Sequence, residues 1–312
     1  MDQQAIHTIG IRREDKNRWE RRGPLTPDQV AGLIREGLSF QVEASPLRVF
    51  SDEEFVRAGA ELVVGPPGAP LILGVKEIPP DKLAAGRIYL FFSHTVKGQP
   101  YNMPLLQRLL DLGCTLLDYE RIVDEQGRRL VFFGRHAGLA GMMDSIWALG
   151  RRLAWEGRPT PLARLEPTHR YADLAALIAD VAEAGRKLRR EGIPAALQPL
   201  VVGFTGYGNV SQGAQEVFDA LEPLAVAPEA LLSGEPLPGD PARTLYKVVF
   251  AEEHMVEPRE PGQPFVLQDY YDHPERYRAT FARFLPALTM LINGIYWTER
   301  YPRLVRCADL RR

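Results

Sequence analysis

Cysteine is scarce in this sequence, long apolar runs are missing, and neither sign of charge is in excess. The two cysteines, Cys114 and Cys307, lie far apart along the chain, so they cannot build a disulfide framework or a thiolate metal site. No run approaches the roughly 18 apolar residues of a membrane span. Lys and Arg total 38 against 40 for Asp and Glu, which excludes a general attraction to nucleic acid or to an anionic membrane.

What remains is the composition of an ordinary globular protein. Hydrophobic residues make up 45% and charged residues 25% of the 312 residues, which excludes a disordered or fibrous chain and suggests about two domains. The opening segment, MDQQAIHTIGIRRED, has no apolar stretch of signal-peptide length. We therefore expect a cytoplasmic protein in a reducing compartment.

In the first half, helix signals alternate with short apolar runs. Thr26 and Gln29 form a capping box that opens one helix, and Ser51 and Glu54 form a box that opens another. Alternation of this kind predicts a parallel sheet with helices on its faces. The predicted helices span about 26–37, 51–59 and 102–112, and the predicted strands span 38–44, 70–77, 86–94 and 115–120.

Charged side chains end three of these strands. Lys76 and Glu77 close the second strand, His94 closes the third, and Glu120 closes the fourth. Ligands bind outside the carboxyl ends of parallel strands, so we expect these side chains on one edge of the sheet, in a candidate site. For any one of them alone, a solvated strand end is the competing explanation.

A glycine-rich turn joins a strand to a helix in the second half. The apolar strand 200–205 runs into Gly206 and Gly208, and a helix follows, which is the context that a dinucleotide fingerprint requires. Gly206 permits the tight turn, Gly208 lets the backbone approach a pyrophosphate, and Ser211 stands at the third glycine position. A plain structural turn is the alternative. The candidate cofactor-binding residues are Gly206, Gly208, Asn209, Val210 and Ser211.

The choice between NAD and NADP stays open at this stage. The next predicted strand, 223–229, carries no acid at its end apart from the nearby Glu229, and such an acid would favour NAD. No adjacent arginine favours the 2′-phosphate of NADP either. His254 follows two acids but has no second pair of metal ligands at a suitable spacing, so we predict no metal site.

Long helices at about 137–157 and 172–191 precede the glycine-rich turn, and we place the switch between domains there, near 135–195. A strand with a charged end over 245–258, and a helix running into a buried strand over 281–297, follow the turn. A doubly wound domain normally continues for several more strands. We therefore predict a cofactor domain that is incomplete at its C-terminus.

Ordered segments over nearly the whole chain carry a family resemblance: IRREDKNRWERRGPLTP (11–27), LILGVKE (71–77), FFSHTVKGQPYNMPLL (91–106), LLDYE (116–120), FFGRHAGLAGM (132–142), FTGYGNVSQGAQ (204–215), DHPERY (272–277) and LINGIYW (291–297). The chain is similar to the lysine–2-oxoglutarate reductase part of the saccharopine-pathway enzymes. More distantly, it resembles saccharopine dehydrogenase and alanine dehydrogenase/transhydrogenase domains.

This resemblance implies an oxidoreductase. The ε-amine of lysine would condense with 2-oxoglutarate to an imine, and hydride from NADPH, with NAD not excluded, would reduce the imine to saccharopine. Lys76 and His94 match the acid–base pair of related enzymes, and Arg22 suits a bidentate contact with a substrate carboxylate. The residues that match the substrate-binding positions are Lys16, Glu20, Arg22, Glu77, Lys97 and Glu120.

The resemblance also implies an α/β fold with two Rossmann-like domains, each built on a parallel sheet. We expect a substrate and catalytic domain over 1–135, connecting helices over 136–195 and a dinucleotide-binding domain over 196–312, with a partner chain or an oligomer completing the last. Two other functions stay open. One is an NAD-dependent saccharopine dehydrogenase that forms lysine; the other is a non-catalytic fragment or regulatory module that keeps the fold.

Overall fold

The computed structural model describes residues 6–310, which form two compact units that divide between Phe132 and Phe133. Residues 1–5 and 311–312 of the predicted domains lie outside the described residues. Each unit contains a parallel sheet with helices packed against it, so the predicted fold class, α/β with two Rossmann-like domains, is confirmed. The division falls a few residues before the domain boundary that the sequence predicts.

The first unit is built on a sheet of six parallel strands in the order β3-β2-β1-β4-β5-β6. This is the strand order of a doubly wound dinucleotide-binding sheet, with its topological switch point between β1 and β4. The elements are β1 (Thr8–Ile11), α1 (Pro27–Arg35), β2 (Ser39–Glu43), α2 (Asp52–Arg57), β3 (Glu61–Val63), β4 (Leu71–Leu73), β5 (Ile88–Phe91), α3 (Met103–Asp111) and β6 (Thr115–Asp118).

Local sequence signals set where these helices begin. Thr26 and Ser51 cap α1 and α2, and both capping boxes predicted from the sequence are present. Each box satisfies backbone N–H groups that the first helical turn leaves without a partner. The two helices bury Val30 and Phe55 in one core cluster, which also contains Ile11 at the end of the central strand. Burying such a side chain stabilises the fold by about 1.5–3 kcal/mol.

Two strands of this sheet have no counterpart in the sequence-based prediction. β1 (TIGI) and β3 (ELV) lack the apolar run ending in charge that predicted β4, β5 and β6. β1 nevertheless pairs with both β2 and β4 and so occupies the centre of the sheet. Its position brings the loop after it, residues 12–26, to the edge where the other strands of the sheet end.

The second unit is built on a four-stranded parallel sheet in the order β12-β7-β9-β8, with a separate antiparallel pair β10-β11. The elements are α4 (Gly134–Trp155), α5 (Leu174–Glu191), β7 (Leu200–Thr205), α6 (Asn209–Asp219), β8 (Leu224–Ala225), β9 (Leu245–Phe250), α7 (Glu252–Met255), β10 (Val256–Pro258), α8 (Leu267–Asp272), β11 (Tyr277–Ala279) and β12 (Met290–Asn293).

The helices that the sequence sets apart as a connection, α4 and α5, share a buried core with α6 and β7. The small residues at the start of α4 allow a very close helix crossing. A Cβ added at Gly138 would lie 2.0 Å from the carbonyl oxygen of Val210, and one added at Gly213 would lie 2.1 Å from that of Arg135. In the structure, α4 and α5 are therefore part of the second unit.

Two strand predictions and one helix prediction in this unit need correction. The strand expected over 223–229 is reduced to β8, whose two residues are exposed at the sheet edge. The strand over 245–258 is divided into β9, the short helix α7 and β10. The helix predicted within 281–297 is a 3-10 helix, Phe281–Ala287, because Pro286 cannot donate an α-helical hydrogen bond, and the strand that follows is half-buried.

No helix in the described part of the chain is both long enough and apolar enough to cross a membrane.

Candidate active site

The predicted catalytic and substrate-binding side chains all belong to the first unit, where they follow neighbouring strands. Lys76 and Glu77 follow β4, His94 follows β5, and Glu120 follows β6, so the three segments leave the same edge of the sheet side by side. Lys16, with Glu20 and Arg22, follows the central strand β1. Lys97 lies one turn after His94.

His94 lies between two carboxylates. Its Nδ1 is 3.3 Å from Oε2 of Glu120, and its Nε2 is 3.9 Å from Oε1 of Glu77. The backbone at His94 is left-handed, with φ of 54° and ψ of 12°. A non-glycine residue pays on the order of 1–3 kcal/mol for such a conformation, and strain of this kind concentrates at functional sites. The turn aims the imidazole back between its two acidic neighbours.

Half-exposed cations surround these acids. Lys16 Nζ is 3.3 Å from Glu77, and Lys97 Nζ is 3.2 Å from Glu120. The lysine side chains are 44% and 48% exposed, whereas the glutamates are 12% and 7% exposed. The acids are therefore fixed in the fold, while the ammonium groups can reach an anionic ligand from solvent.

Arg129 is a member of this cluster that the sequence did not single out. Its Nη1 lies 3.1 Å from Oε1 of Glu120. Burial alone would raise the pKa of Glu120, but hydrogen bonds from Lys97 and His94 outweigh it and hold that pKa below its ordinary value. Glu120 thus stays ionised beside the imidazole. The arginine stands in a charged segment after the last strand of the first unit, where no pattern distinguishes it from a solvated residue.

Arg22 is already engaged within the protein. Its Nε and Nη2 donate to the two carboxylate oxygens of Glu20 at 2.7 and 2.6 Å, and Glu20 also accepts from the backbone N–H of Arg22. Burial would raise the pKa of Glu20, but the Arg22 contacts and the charge of Lys76 lower it below its ordinary value. The guanidinium N–H groups of Arg22 that we expected to bind a substrate carboxylate therefore bind Glu20 in this structure.

A buried carboxylate positions Lys76. Glu14 accepts hydrogen bonds from the backbone N–H groups of Val75 and Lys76, at 2.8 and 2.9 Å. Burial raises the pKa of Glu14 above its ordinary value. These hydrogen bonds and the charge of Arg12 act in the opposite direction but are outweighed. The ammonium of Lys76 forms no salt bridge with any residue between 6 and 310. Glu14 lies in the charged run RREDK, which in sequence looks solvent-exposed.

A second buried carboxylate joins the two segments that carry His94 and Glu120. Asp118 accepts hydrogen bonds from the backbone N–H and the hydroxyl of Ser93, and from the backbone N–H of Glu120 at 2.8 Å. Ser93, which precedes His94, and Glu120 are thereby both held by the side chain of Asp118. Asp118, the last residue of β6, and Glu14, which follows β1, are positioning residues that sequence reasoning missed, because a buried acid at a strand end gives no periodic signal.

In the second unit, the glycine-rich turn leaves open space at the start of α6, which is compatible with the predicted pyrophosphate site. Gly206 has φ of 76°, and a Cβ there would lie 2.9 Å from Ile295. A Cβ at Gly208 would meet no heavy atom within 4 Å, so the space in front of its backbone is open to a ligand. No side chain caps α6, and its first turn has no acidic residue, so the positive end of the helix dipole can receive an anion.

The remaining predicted cofactor residues form the first turn of α6. Asn209 and Val210 open the helix, and Ser211 is buried. The Cβ of Ser211 would lie 3.0 Å from a Cβ added at Gly294, next to β12. A small residue at position 211 therefore allows close packing between helix and strand, as the third glycine of the fingerprint does.

Comparison with known proteins agrees with both units. A family model, "Alanine dehydrogenase/PNT, N-terminal domain", matches residues 10–140. A solved L-alanine dehydrogenase, 17% identical, covers 97% of this chain and 70% of its own with a TM-score of 0.56, which supports the fold. The alpha-aminoadipic semialdehyde synthase of Rattus norvegicus, a mitochondrial protein, is 40% identical over 302 residues, which are 96% of this chain and 32% of the relative.

Residues 10–140 therefore resemble the N-terminal domain of alanine dehydrogenase/PNT proteins. The chain as a whole is a homologue of alpha-aminoadipic semialdehyde synthase, which confirms the resemblance seen in the sequence. The chain spans about a third of the length of that relative. A saccharopine dehydrogenase of Neurospora crassa, titled "NAD(+), L-lysine-forming", is 40% identical over 151 residues, which are 46% of this chain and 40% of the relative.

Proposed function

We propose that this chain is an oxidoreductase of the saccharopine pathway that reduces the imine of lysine and 2-oxoglutarate to saccharopine with a nicotinamide dinucleotide. The observation that carries the proposal is the cluster at the strand ends of the first unit, in which His94 lies between Glu77 and Glu120. The homologues include saccharopine dehydrogenases named as NAD(+), L-lysine-forming, which supports the proposal.

The residue types in the cluster suit the proton transfers of imine formation. The lysine nitrogen must lose a proton as it attacks the 2-oxoglutarate carbonyl, and the resulting hydroxyl must gain one before it departs as water. An imidazole can take and release a proton near neutral pH. His94 and Lys76 are the two groups at this edge that we assign to these transfers.

The charges of the cluster fit the ends of the substrates. Saccharopine carries three carboxylates, and the half-exposed cations Lys16, Lys97 and Arg129 can move from their acidic partners to bind them. Glu77 and Glu120 would then remain to hold the cationic amino groups. Arg22 can bind a substrate carboxylate only when that carboxylate displaces Glu20 from its guanidinium group.

In the second unit, the turn at Gly206 and Gly208 would hold the pyrophosphate, with Asn209 and Val210 presenting backbone N–H groups at the start of α6. A dinucleotide bound there supplies the hydride, and the protein supplies its orientation. The resemblance implies NADPH. The carboxylate of Glu252, which lines a cavity with this turn, favours NADH instead. The location in the cytoplasm stays a prediction from the sequence.

The same cluster would also serve the reverse reaction, the NAD-dependent release of lysine from saccharopine. The test is a pair of assays that follow nicotinamide absorbance with this chain. One contains lysine, 2-oxoglutarate and NADH or NADPH; the other contains saccharopine and the oxidised dinucleotides. Oxidation that requires both lysine and 2-oxoglutarate supports the proposal. Absence of turnover in both directions would contradict it and favour a non-catalytic module.

A further inference from the structure

The strand beside the glycine-rich turn is not the next strand along the chain. β9 pairs with β7 along its full length, whereas β8, which comes earlier in sequence, lies outside β9 at the sheet edge. In a dinucleotide-binding sheet, the helix after the glycine-rich turn crosses to one side of the strand that bears the turn. The neighbouring strand on that side ends near the adenosine ribose. Because α6 leads from β7 to β8, that side is the β9 side, and β9 takes this place.

An acid follows β9 directly. Glu252 is the second residue after β9 ends, and with Gly206, Tyr207 and Gly208 it lines a cavity of about 300 Å³ in the second unit. Its carboxylate accepts a hydrogen bond from the hydroxyl of Tyr271 at 2.8 Å. The charge of Glu252 is also the main reason why the pKa of Tyr207 is raised. The carboxylate therefore stands immediately beside the turn.

The rest of the cavity suits a nucleoside. Tyr270, Tyr296 and Tyr301 line it with Tyr271, and the hydrophobic Met255 and Ile295 complete the wall. Aromatic faces of this kind stack on a purine base. No lysine or arginine occurs among the described residues that line the cavity. A site that selects NADP normally places an arginine near the 2′-phosphate.

We propose that Glu252 is the residue that recognises the adenosine ribose in this chain, and that it gives the site a preference for NAD(H) over NADP(H). The inference rests on the proposed function, because it takes the turn at Gly206 to be the pyrophosphate site. An ionised carboxylate accepts hydrogen bonds from the 2′- and 3′-hydroxyl groups of the NAD ribose. The same carboxylate repels the 2′-phosphate of NADP.

The experiment compares the binding of NADH and NADPH to the whole chain, each titrated separately by nicotinamide fluorescence at fixed ionic strength. We expect NADH to bind at least about tenfold more tightly, which corresponds to one hydrogen bond to a charged group. Glu252→Gln should weaken NADH binding and strengthen NADPH binding, so that the preference falls to near unity. Glu253→Gln is the matched control, because Glu253 is an exposed acid next in sequence that does not line the cavity.

The possible results separate the inference from the function on which it rests. A wild-type chain that binds NADPH as tightly as NADH, or more tightly, would overturn the inference and leave the dinucleotide site standing. Equal shifts in Glu252→Gln and Glu253→Gln would also overturn it, since a general change of charge would then explain the effect. Binding of neither nucleotide would overturn both the inference and the proposed cofactor site.

Discussion

Asp118 holds together the segments that carry His94 and Glu120, and its replacement by asparagine has a predictable cost. The carboxylate accepts hydrogen bonds from two groups of Ser93 and from the backbone of Glu120. Asparagine keeps the shape but has a single carbonyl oxygen, so at least one donor would face an amide NH₂ group. One lost hydrogen bond to a charged acceptor costs about 1.5–3 kcal/mol, and the remaining bonds weaken with the charge gone, so we expect the free energy of unfolding to fall by about 2–4 kcal/mol.

The assay is urea unfolding followed by circular dichroism, together with the rate of dinucleotide oxidation. Asp111→Asn is the matched control, because Asp111 is exposed and its carboxylate bonds to Gln107 on the same helix, so its effect should stay within about 0.5 kcal/mol. We expect Asp118→Asn to lower the rate as well, since both His94 and Glu120 lose a fixed position. An unchanged unfolding midpoint in Asp118→Asn would refute the claim that this carboxylate holds the strand ends together.

Three further predictions follow from individual residues. His94→Asn should keep the stability of the fold, because asparagine tolerates the left-handed backbone, while turnover falls about 100-fold or more; turnover at the wild-type rate would remove His94 from the acid–base pair. The folded-state pKa of Glu120 is lowered from its ordinary 4.5, so its contribution to stability is complete above that pH and is lost as pH falls through the folded value. In thermal unfolding, the stability lost between neutral and acid pH should therefore be smaller in Glu120→Gln than in wild type. An equal loss in the two proteins would contradict this. Gly138→Ala should cost about 1–3 kcal/mol in thermal unfolding because its Cβ would collide with the backbone of α6. Gly141→Ala on the same helix, whose Cβ would meet nothing within 4 Å, should be neutral or stabilising, and equal effects of the two would disprove the close crossing.

The features that could be predicted from the sequence are those with a local physical cause. The capping boxes at Thr26 and Ser51 involve residues three apart, and the structure contains both. The shared edge of the strands before Lys76, His94 and Glu120 follows from parallel pairing alone, which requires no knowledge of strand order.

The features that escaped prediction depend on contacts between distant segments. β1 is central because it pairs on both sides, and its four residues carry no pattern that reveals this. Glu14 and Asp118 are buried by strands and loops far along the chain, so their acidic character in sequence suggested exposure. The place of β9 beside β7 likewise cannot be deduced from order along the chain, and for that reason the sequence does not point to Glu252, the acid that we propose binds the ribose.

Arg22 shows a different limit. Its side chain suits a bidentate carboxylate contact, and it makes one, but with Glu20, two residues away, instead of with a substrate. Residue type suggests a two-bond contact with a carboxylate, and the structure shows such a contact with Glu20. The role of Arg22 toward a substrate stays a prediction.

The most direct measurement is the rate of NADH and NADPH oxidation in the presence of lysine and 2-oxoglutarate, compared between the wild-type chain and Lys76→Met, with dinucleotide affinity measured on the same samples. If the strand-end cluster carries the proton transfers, the wild-type chain turns over, and Lys76→Met slows by about 100-fold or more while its dinucleotide affinity is unchanged. A folded Lys76→Met variant that turns over as fast as the wild type would contradict the account.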